Sequence, residues 1–366
     1  MAVFRATICY CYDPFLVSLL LLVLFLPNFH QTDAQIGVCN GRLGNNLPSD
    51  QEVVDLYKSN GIGRMRMYDP NPQTLQALKR SNIELVLDVP NSNLQSLANS
   101  TAAASKWIRD NVLNYYPDVK FRIIVVGNEV DPSKDVMAHL VPLVLLAMSN
   151  VYDALASASL KDEIKVSTVT YPGLLRTSIP PSQGVFEGAW FSFMVPIINF
   201  LQNTNNPLLV NIYPYISHIG DPQDVPLPYA LFTARGVGVQ DGQLSYRNLF
   251  DVILDATYSA VEKAGGPDVE IVVSESGWPS AGGTAASVEN AGTYYRNLIN
   301  HVKGGSPKRP GRAIETYWFA MFDENMKPGP ESERRYGLFS PNKQPKYENT
   351  WATTPLVESL VLYCTI

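Results

Sequence analysis

The sequence predicts a single-domain (β/α)8 barrel, the TIM-barrel class of α/β folds. Three observations lead there. Eight short apolar runs, β-branched or aromatic and several without polar alternation, recur along the chain as strands buried on both faces do. Helix-period segments fill the gaps, over a length that suffices for a barrel of about 250 residues or more. Polar residues gather at the C-terminal ends of the runs, where such barrels carry their chemistry. An open doubly wound sheet gives a similar alternation, but no G-x-G-x-x-G follows the first run and no P-loop occurs.

The elements follow in order. The runs are 36–39, 64–68, 84–89, 121–129, 164–170, 208–213, 269–275 and 314–322. After the first, Ser49-Asp50-Gln51-Glu52 forms a capping box ahead of Val53, Val54 and Tyr57. Helices are expected over 102–112 and over 136–158, where Pro142 kinks or restarts the second. Leu249, Val252, Ile253, Ala256 and Ala260 form one apolar helix face, stopped by Gly265-Gly266-Pro267. A last helix covers 286–302, before Gly304-Gly305. Segments 180–207 and 215–228 read as excursions between barrel elements.

Composition narrows the function classes. A 46% hydrophobic share excludes a disordered chain. A net charge of −6 without a long Lys/Arg run argues against nucleic acid or an anionic membrane, and leaves neutral ligands open. Arg5, the Leu-rich run 15–26 and the polar stretch 28–33 ending in Ala34 read as a secretory signal peptide cut before Gln35. As a membrane anchor the run is short against about 20 residues. The expected division is therefore signal peptide 1–34, catalytic barrel 35–347 and C-terminal extension 348–366.

Cys9 and Cys11 leave with the signal peptide. Cys39 and Cys364 are too few and too far apart for a disulfide scaffold, and Cys39 reads as a buried free thiol. His30, His139, His218 and His301 are scattered without metal-ligand spacing, so no metal or cofactor is expected. Asn99-Ser100-Thr101 is the single N-glycosylation sequon, and Asn99 is its acceptor.

Two carboxylates stand out. Glu129 follows the apolar stretch 123–126, and Glu275 follows 271–273. A carboxylate there is costly unless it faces a polar cleft. Strands four and seven can both present their ends to the barrel mouth, and two facing carboxylates are the equipment for hydrolysing a glycosidic bond. The bland alternative is a structural set of ion pairs at the mouth. Glu324 lies beside Asp323, where crowding raises one pKa. Glu333 beside Arg334 and Arg335 reads as a solvated ion pair, Glu52 as a cap and Asp69 as a turn residue. Tyr68, Tyr171, Tyr213, Tyr215, Trp278, Trp318, Phe319 and Phe322 stand at or near strand ends and could stack on sugar rings, with Trp318 the first to be assigned to the core.

At Met67-Tyr68-Asp69-Pro70, Val126-Gly127-Asn128-Glu129, Asn211-Ile212-Tyr213-Pro214-Tyr215, Val239-Gln240-Asp241-Gly242 and Ser274-Glu275-Ser276-Gly277-Trp278-Pro279-Ser280, the chain resembles the plant endo-β-1,3-glucanases of glycoside hydrolase family 17. The resemblance runs in the family's order from Gln35 to about Tyr347. It implies a retaining glycosidase with Glu129 as acid/base and Glu275 as nucleophile, and Asn128 on the sugar 2-hydroxyl. Tyr68, Tyr213, Phe322, Glu324, Lys327 and Glu333 match positions lining the family's substrate cleft. Asp323 stands where Asn is usual and adds a charge beside Glu324. Glu187, Trp190 and Phe191 depart from the family pattern, so the cleft rim differs. Met65 and Met67 flank Arg66 in a strand that often carries other residues. The tail 348–366 is extra and reads as a vacuolar-sorting propeptide more than as a lipid-anchor signal.

The expected protein is a secreted, monomeric endo-glycosidase of the cell wall or, through the tail, the vacuole. Its partner is β-1,3-glucan, with no nucleic acid and no stable membrane partner. The rival readings are a β-1,3-1,4-glucanase on the same scaffold and a wall-glucan-binding protein without turnover.

Overall fold

Each of the eight apolar runs forms a strand in the computed structural model, which describes residues 36–347. They are β1 (Ile36–Cys39), β2 (Arg64–Met67), β3 (Glu84–Val89), β4 (Lys120–Asn128), β5 (Lys165–Thr170), β6 (Leu208–Asn211), β7 (Ile271–Ser276) and β8 (Thr316–Trp318). All pair in parallel, and the sheet closes into a barrel because β1 pairs with both β2 and β8. The signal peptide 1–34, Cys9, Cys11, His30, Cys364 and the extension 348–366 lie outside the described residues.

The strands read as unbroken apolar runs because both faces are covered. One cluster fills the barrel interior with Cys39, Val86, Ile123, Val125, Leu209 and Tyr317 among others, and Tyr68 and Tyr213 rest on its top. A larger cluster fills the layer between strands and helices and includes Trp318, fully buried as expected. Cys39 is free, with its Sγ 3.4 Å from the Ser274 carbonyl. At the N-terminal ends, Arg64 and Arg122 pair with Glu84 and Glu315, which closes the barrel floor with charge.

The helices follow the start and stop signals. Ser49 and Glu52 form the reciprocal capping box of the helix Asp50–Ser59, which buries Val53, Val54 and Tyr57. Pro142 restarts a helix: Asp135–Ala138 ends, and Val141–Ser157 begins with the proline in its first turn. The predicted 102–112 helix is α from Thr101 to Ile108 and then a π-turn, Arg109–Leu113. The last two helices are Leu249–Lys263 and Val288–His301.

Two expectations need correction. Segment 180–207 contains the helix Ala189–Thr204, and 215–228 overlaps the helices Pro214–Gly220 and Leu227–Ala230. Pro196 inside the first, and the prolines starting the others, hid their periodicity. A hairpin, Val239–Asp241 with Leu244–Tyr246, also lies outside the barrel, turning at Gly242 with φ +58.

Register slips once low in the barrel, in the β3–β4 pairing between Leu85 and Val86, and three times near the mouth. The β4–β5 pairing slips between Val125 and Asn128, β6–β7 between Val210 and Asn211, and β7–β8 between Thr316 and Trp318. Bulges re-aim side chains, and these three lie where polar residues replace apolar ones.

Candidate active site

The Gly127-Asn128-Glu129 string ends β4 in a shape its residues explain. Gly127 has φ +87, which glycine adopts without a Cβ penalty, and Thr168 Oγ1 donates to its carbonyl at 2.9 Å. Asn91 and Asn128 exchange two hydrogen bonds: Asn91 Nδ2 to the Asn128 carbonyl at 3.0 Å, and Asn128 N to Asn91 Oδ1 at 2.9 Å. Glu129 itself is left-handed, with φ +51. That conformation is uncommon for a non-glycine residue and persists only when its surroundings impose it. Its Oε1 accepts from Asn211 Nδ2 at 2.8 Å. Burial pushes its carboxyl above the ordinary range and Glu275 adds to the shift, while Asn211, Arg66 and Lys134 oppose it.

Glu275 enters from β7 and is 7% exposed. Its Oε1 accepts from Arg66 Nη1 at 2.9 Å and from the Tyr68 hydroxyl at 2.8 Å, and its Oε2 accepts from the Tyr213 hydroxyl at 2.7 Å. Arg66 is fully buried at the centre of the mouth. Asp88 takes it in a fork, Nε to Oδ1 at 3.2 Å and Nη2 to Oδ2 at 2.7 Å. The remaining N–H groups reach Asn128 Oδ1, Asn211 Oδ1 and the Ser274 carbonyl. Burial pushes the Asp88 carboxyl up, and Arg66 opposes that. Ser274 Oγ donates to Asn211 Oδ1 at 2.8 Å, so one network joins both carboxylates.

Glu129 and Glu275 line one cavity of about 550 Å³, together with Asn128, Tyr171, Tyr213 and Phe319. Lys327 and Glu333 also reach its wall and pair at 3.1 Å, with the ammonium 4.0 Å from the Phe319 ring centre. A protonatable carboxyl and a charge-compensated carboxylate facing one cavity can carry out acid-assisted displacement at a carbon between them.

Similarity to known proteins agrees with this arrangement. The family model of glycosyl hydrolases family 17 matches residues 36–350. The chain belongs to glycosyl hydrolases family 17. A glucan endo-1,3-beta-glucosidase of Vitis vinifera is 58% identical over 335 residues, which cover 92% of this chain and 97% of that one. An acidic isoform of glucan endo-1,3-beta-glucosidase from Nicotiana tabacum is 54% identical, covering 91% of this chain and 93% of the relative. Among solved structures, a beta-1,3-glucanase and allergen of Cryptomeria japonica pollen superposes with a TM-score of 0.84 at 45% identity, covering 87% of this chain and 99% of that one. A structure from a study of two plant beta-glucan endohydrolases with distinct substrate specificities gives 0.81 at 47% identity, covering 85% and 99%.

In this family 17 chain, Tyr68, Asn128, Glu129, Tyr213 and Glu275 converge as the sequence suggested. Lys327 and Glu333 join them, and Glu333 pairs with Lys327, not with Arg334 or Arg335, which bind Glu331. Phe322 does not join: it is 2% exposed and packs on Phe339 in the outer core, so no sugar can stack on it. Phe319 faces the cleft instead, edge-on to Tyr68, Tyr213 and Tyr336. Glu324 is buried beneath the loop after β1, where its Oε1 accepts from Leu43 N at 2.7 Å and its carboxylate crowds Gly41, so it props the rim without lining the cavity. The charge of Asp323 is taken up by Lys346 at 2.6 Å and Gly337 N at 2.9 Å, so it does not act on Glu324 as expected. Trp278 and Tyr215 are buried against each other, away from sugar-stacking positions.

Arg66, Asp88, Asn91, Asn211, Ser274 and Tyr336 were not assigned roles from sequence. A signal existed for Arg66, a cation between Met65 and Met67 in a strand whose every residue is buried, which must find counter-charge inside.

Proposed function

We propose that this chain hydrolyses internal β-1,3-glucosidic bonds of β-1,3-glucan of the callose or laminarin type, with retention of configuration. The observation that carries the reading is the unlike treatment of two carboxyl groups at one cavity. Glu275 is held by Arg66, Tyr68 and Tyr213, whereas burial raises the pKa of Glu129. The plant relatives that bear the glucan endo-1,3-beta-glucosidase name support the linkage.

Glu275 attacks the anomeric carbon as the protonated Glu129 gives its proton to the departing oxygen. The bond to the leaving chain breaks, and a glycosyl ester forms on Glu275. Glu129, now a carboxylate, takes a proton from water as that water attacks the same carbon and releases Glu275. Asn128 Oδ1 is committed to Arg66 Nη2, which leaves its Nδ2 for the sugar 2-hydroxyl. Tyr68 and Tyr213 fix both oxygens of Glu275 and so aim its attack.

The reading carries with it export through the leader 1–34, action at the cell wall, and the tail 348–366 as a vacuolar address. It also places a glycan on Asn99, which ends the helix Leu94–Asn99 with an exposed side chain. The test is a digest of laminarin and of mixed-linkage β-glucan with proton NMR of the first products. Oligomers from laminarin with the β anomer first are expected. Preference for the mixed-linkage polymer would replace the linkage, and an α anomer first would overturn retention.

A further inference from the structure

Asp131 lies two residues beyond Glu129, is 2% exposed, and takes no part in the steps above. Its oxygens collect donors from three separate stretches of chain. Ser133 N and Oγ reach Oδ1 at 2.8 and 2.7 Å from its own loop. The Tyr171 hydroxyl reaches Oδ2 at 2.5 Å from the loop after β5, and Trp190 Nε1 reaches Oδ1 at 3.2 Å from the start of the helix Ala189–Thr204. Lys134 Nζ stands 4.0 Å from Oδ2 and 4.9 Å from the Tyr171 ring centre. Gly173 closes on the same ring so tightly that a Cβ there would come within 2.3 Å of it. Burial works against the charge, but the hydrogen bonds from Tyr171, Ser133 and Trp190 outweigh it and hold the carboxyl at about 2.

The place of this cluster gives it a use. Glu129 N donates to the Val169 carbonyl, so the ends of β4 and β5 adjoin, and Tyr171, Pro172 and Gly173 line the cavity beside Glu129. The group that protonates the departing oxygen must stand next to the departing half of the substrate. The wall of Tyr171 and Gly173 therefore flanks the leaving chain. We propose that Asp131 is a positioning residue that fixes this leaving-group wall through Tyr171 and Trp190 and so determines how the glucan chain beyond the scissile bond is held. The proposal rests on the endo-glucanase reading. Binding along a remote stretch of substrate supports reaction at the bond cut only if the wall is held in place.

The experiment compares wild type with Asp131→Asn, Tyr171→Phe and Trp190→Phe on laminarihexaose and on an aryl laminaribioside, whose leaving group is too small to run along this wall. Asp131→Asn should raise KM for the hexaose by about five-fold more than for the aryl glycoside, with kcat changed less than KM, and should shift the bonds cut in the hexaose. Tyr171→Phe removes one donor and keeps the ring, Trp190→Phe removes one donor and leaves a smaller aromatic ring, and each should shift the cleavage pattern in the same direction by less. Equal losses on both substrates, or an unchanged cleavage pattern in folded Asp131→Asn, overturn the proposal. If that variant does not fold, an unchanged pattern in both ring variants overturns it. Failure of wild type to cut laminarihexaose would instead remove the endo-glucanase reading itself.

Discussion

Arg66 Nη1 donates to Glu275 Oε1 at 2.9 Å, and the guanidinium that makes this bond is sealed from solvent. A buried cation is tolerated only when its charge and its N–H groups are all answered. Here Asp88 and Glu275 answer the charge, and Asn128, Asn211 and the Ser274 carbonyl take further N–H groups. The same bonds orient the residues that face the sugar, so charge compensation and site geometry are one arrangement.

Replacing Arg66 tests that coupling. Arg66→Ala leaves Asp88 and Glu275 buried without a counter-ion, a loss of about 3–5 kcal/mol in unfolding free energy. Arg66→Lys keeps the charge, but an ammonium cannot serve the Asp88 fork and Glu275 together. It should fold and still lose about a hundred-fold in kcat. Urea unfolding and laminarin kinetics on both variants measure the two effects. Near-wild-type kcat in Arg66→Lys would show that charge alone suffices.

Glu129→Gln and Glu275→Gln should each lower turnover by about a thousand-fold or more while retaining the fold. Azide should partly rescue Glu275→Gly and give a product of inverted configuration, because the small anion takes the vacated position. The two carboxyl groups should stand about 5–5.5 Å apart in a crystal structure, the separation that suits retention. Near-full laminarin activity in either folded Gln variant would remove that residue from its role.

The barrel was legible because parallel strands buried on both faces leave continuous apolar runs, and all eight were found within a few residues. Helices such as Ala189–Thr204 were missed because Pro196 breaks their pattern while tertiary packing still holds them. Glu129 and Glu275 showed themselves as carboxylates after apolar runs. Asn211 and Asp88 did not, since each looks like an ordinary polar strand residue until Arg66 is seen between them. Phe322 and Phe319 stand three residues apart, and only the end of β8 at Trp318 decides which faces the cleft.

The alkaline limb of activity should follow Glu129. Its pKa lies above the ordinary value, mainly through burial and secondarily through Glu275. The protonated form is the active one, so activity is present below that pKa and is lost as pH rises through it. Asn211 Nδ2 favours the ionised form, so Asn211→Ala should move the limb of kcat/KM to higher pH. Glu275→Gln removes a like charge and should lower the Glu129 pKa, as read by carbon NMR of the labelled carboxyl. Movement of either value in the opposite direction would mean that Glu129 is not the titrating acid.

The aromatic residues at the end of β8 should separate into substrate and core functions. Phe319 lines the cleft against Tyr68, Tyr213 and Lys327, whereas Phe322 is packed on Phe339 in the outer core. A neutral glucan offers no charge for capture, so its affinity depends on such apolar faces and should hardly change with salt. Phe319→Ala should raise KM, more for short oligosaccharides than for laminarin, because a long chain keeps other contacts. Phe322→Ala should open a cavity and cost about 3–5 kcal/mol of stability. Its surviving folded fraction should keep the wild-type KM. Thermal melts and kinetics on both variants at two salt concentrations make the comparison. A KM effect in Phe322→Ala larger than that in Phe319→Ala would reverse the assignment of the two rings.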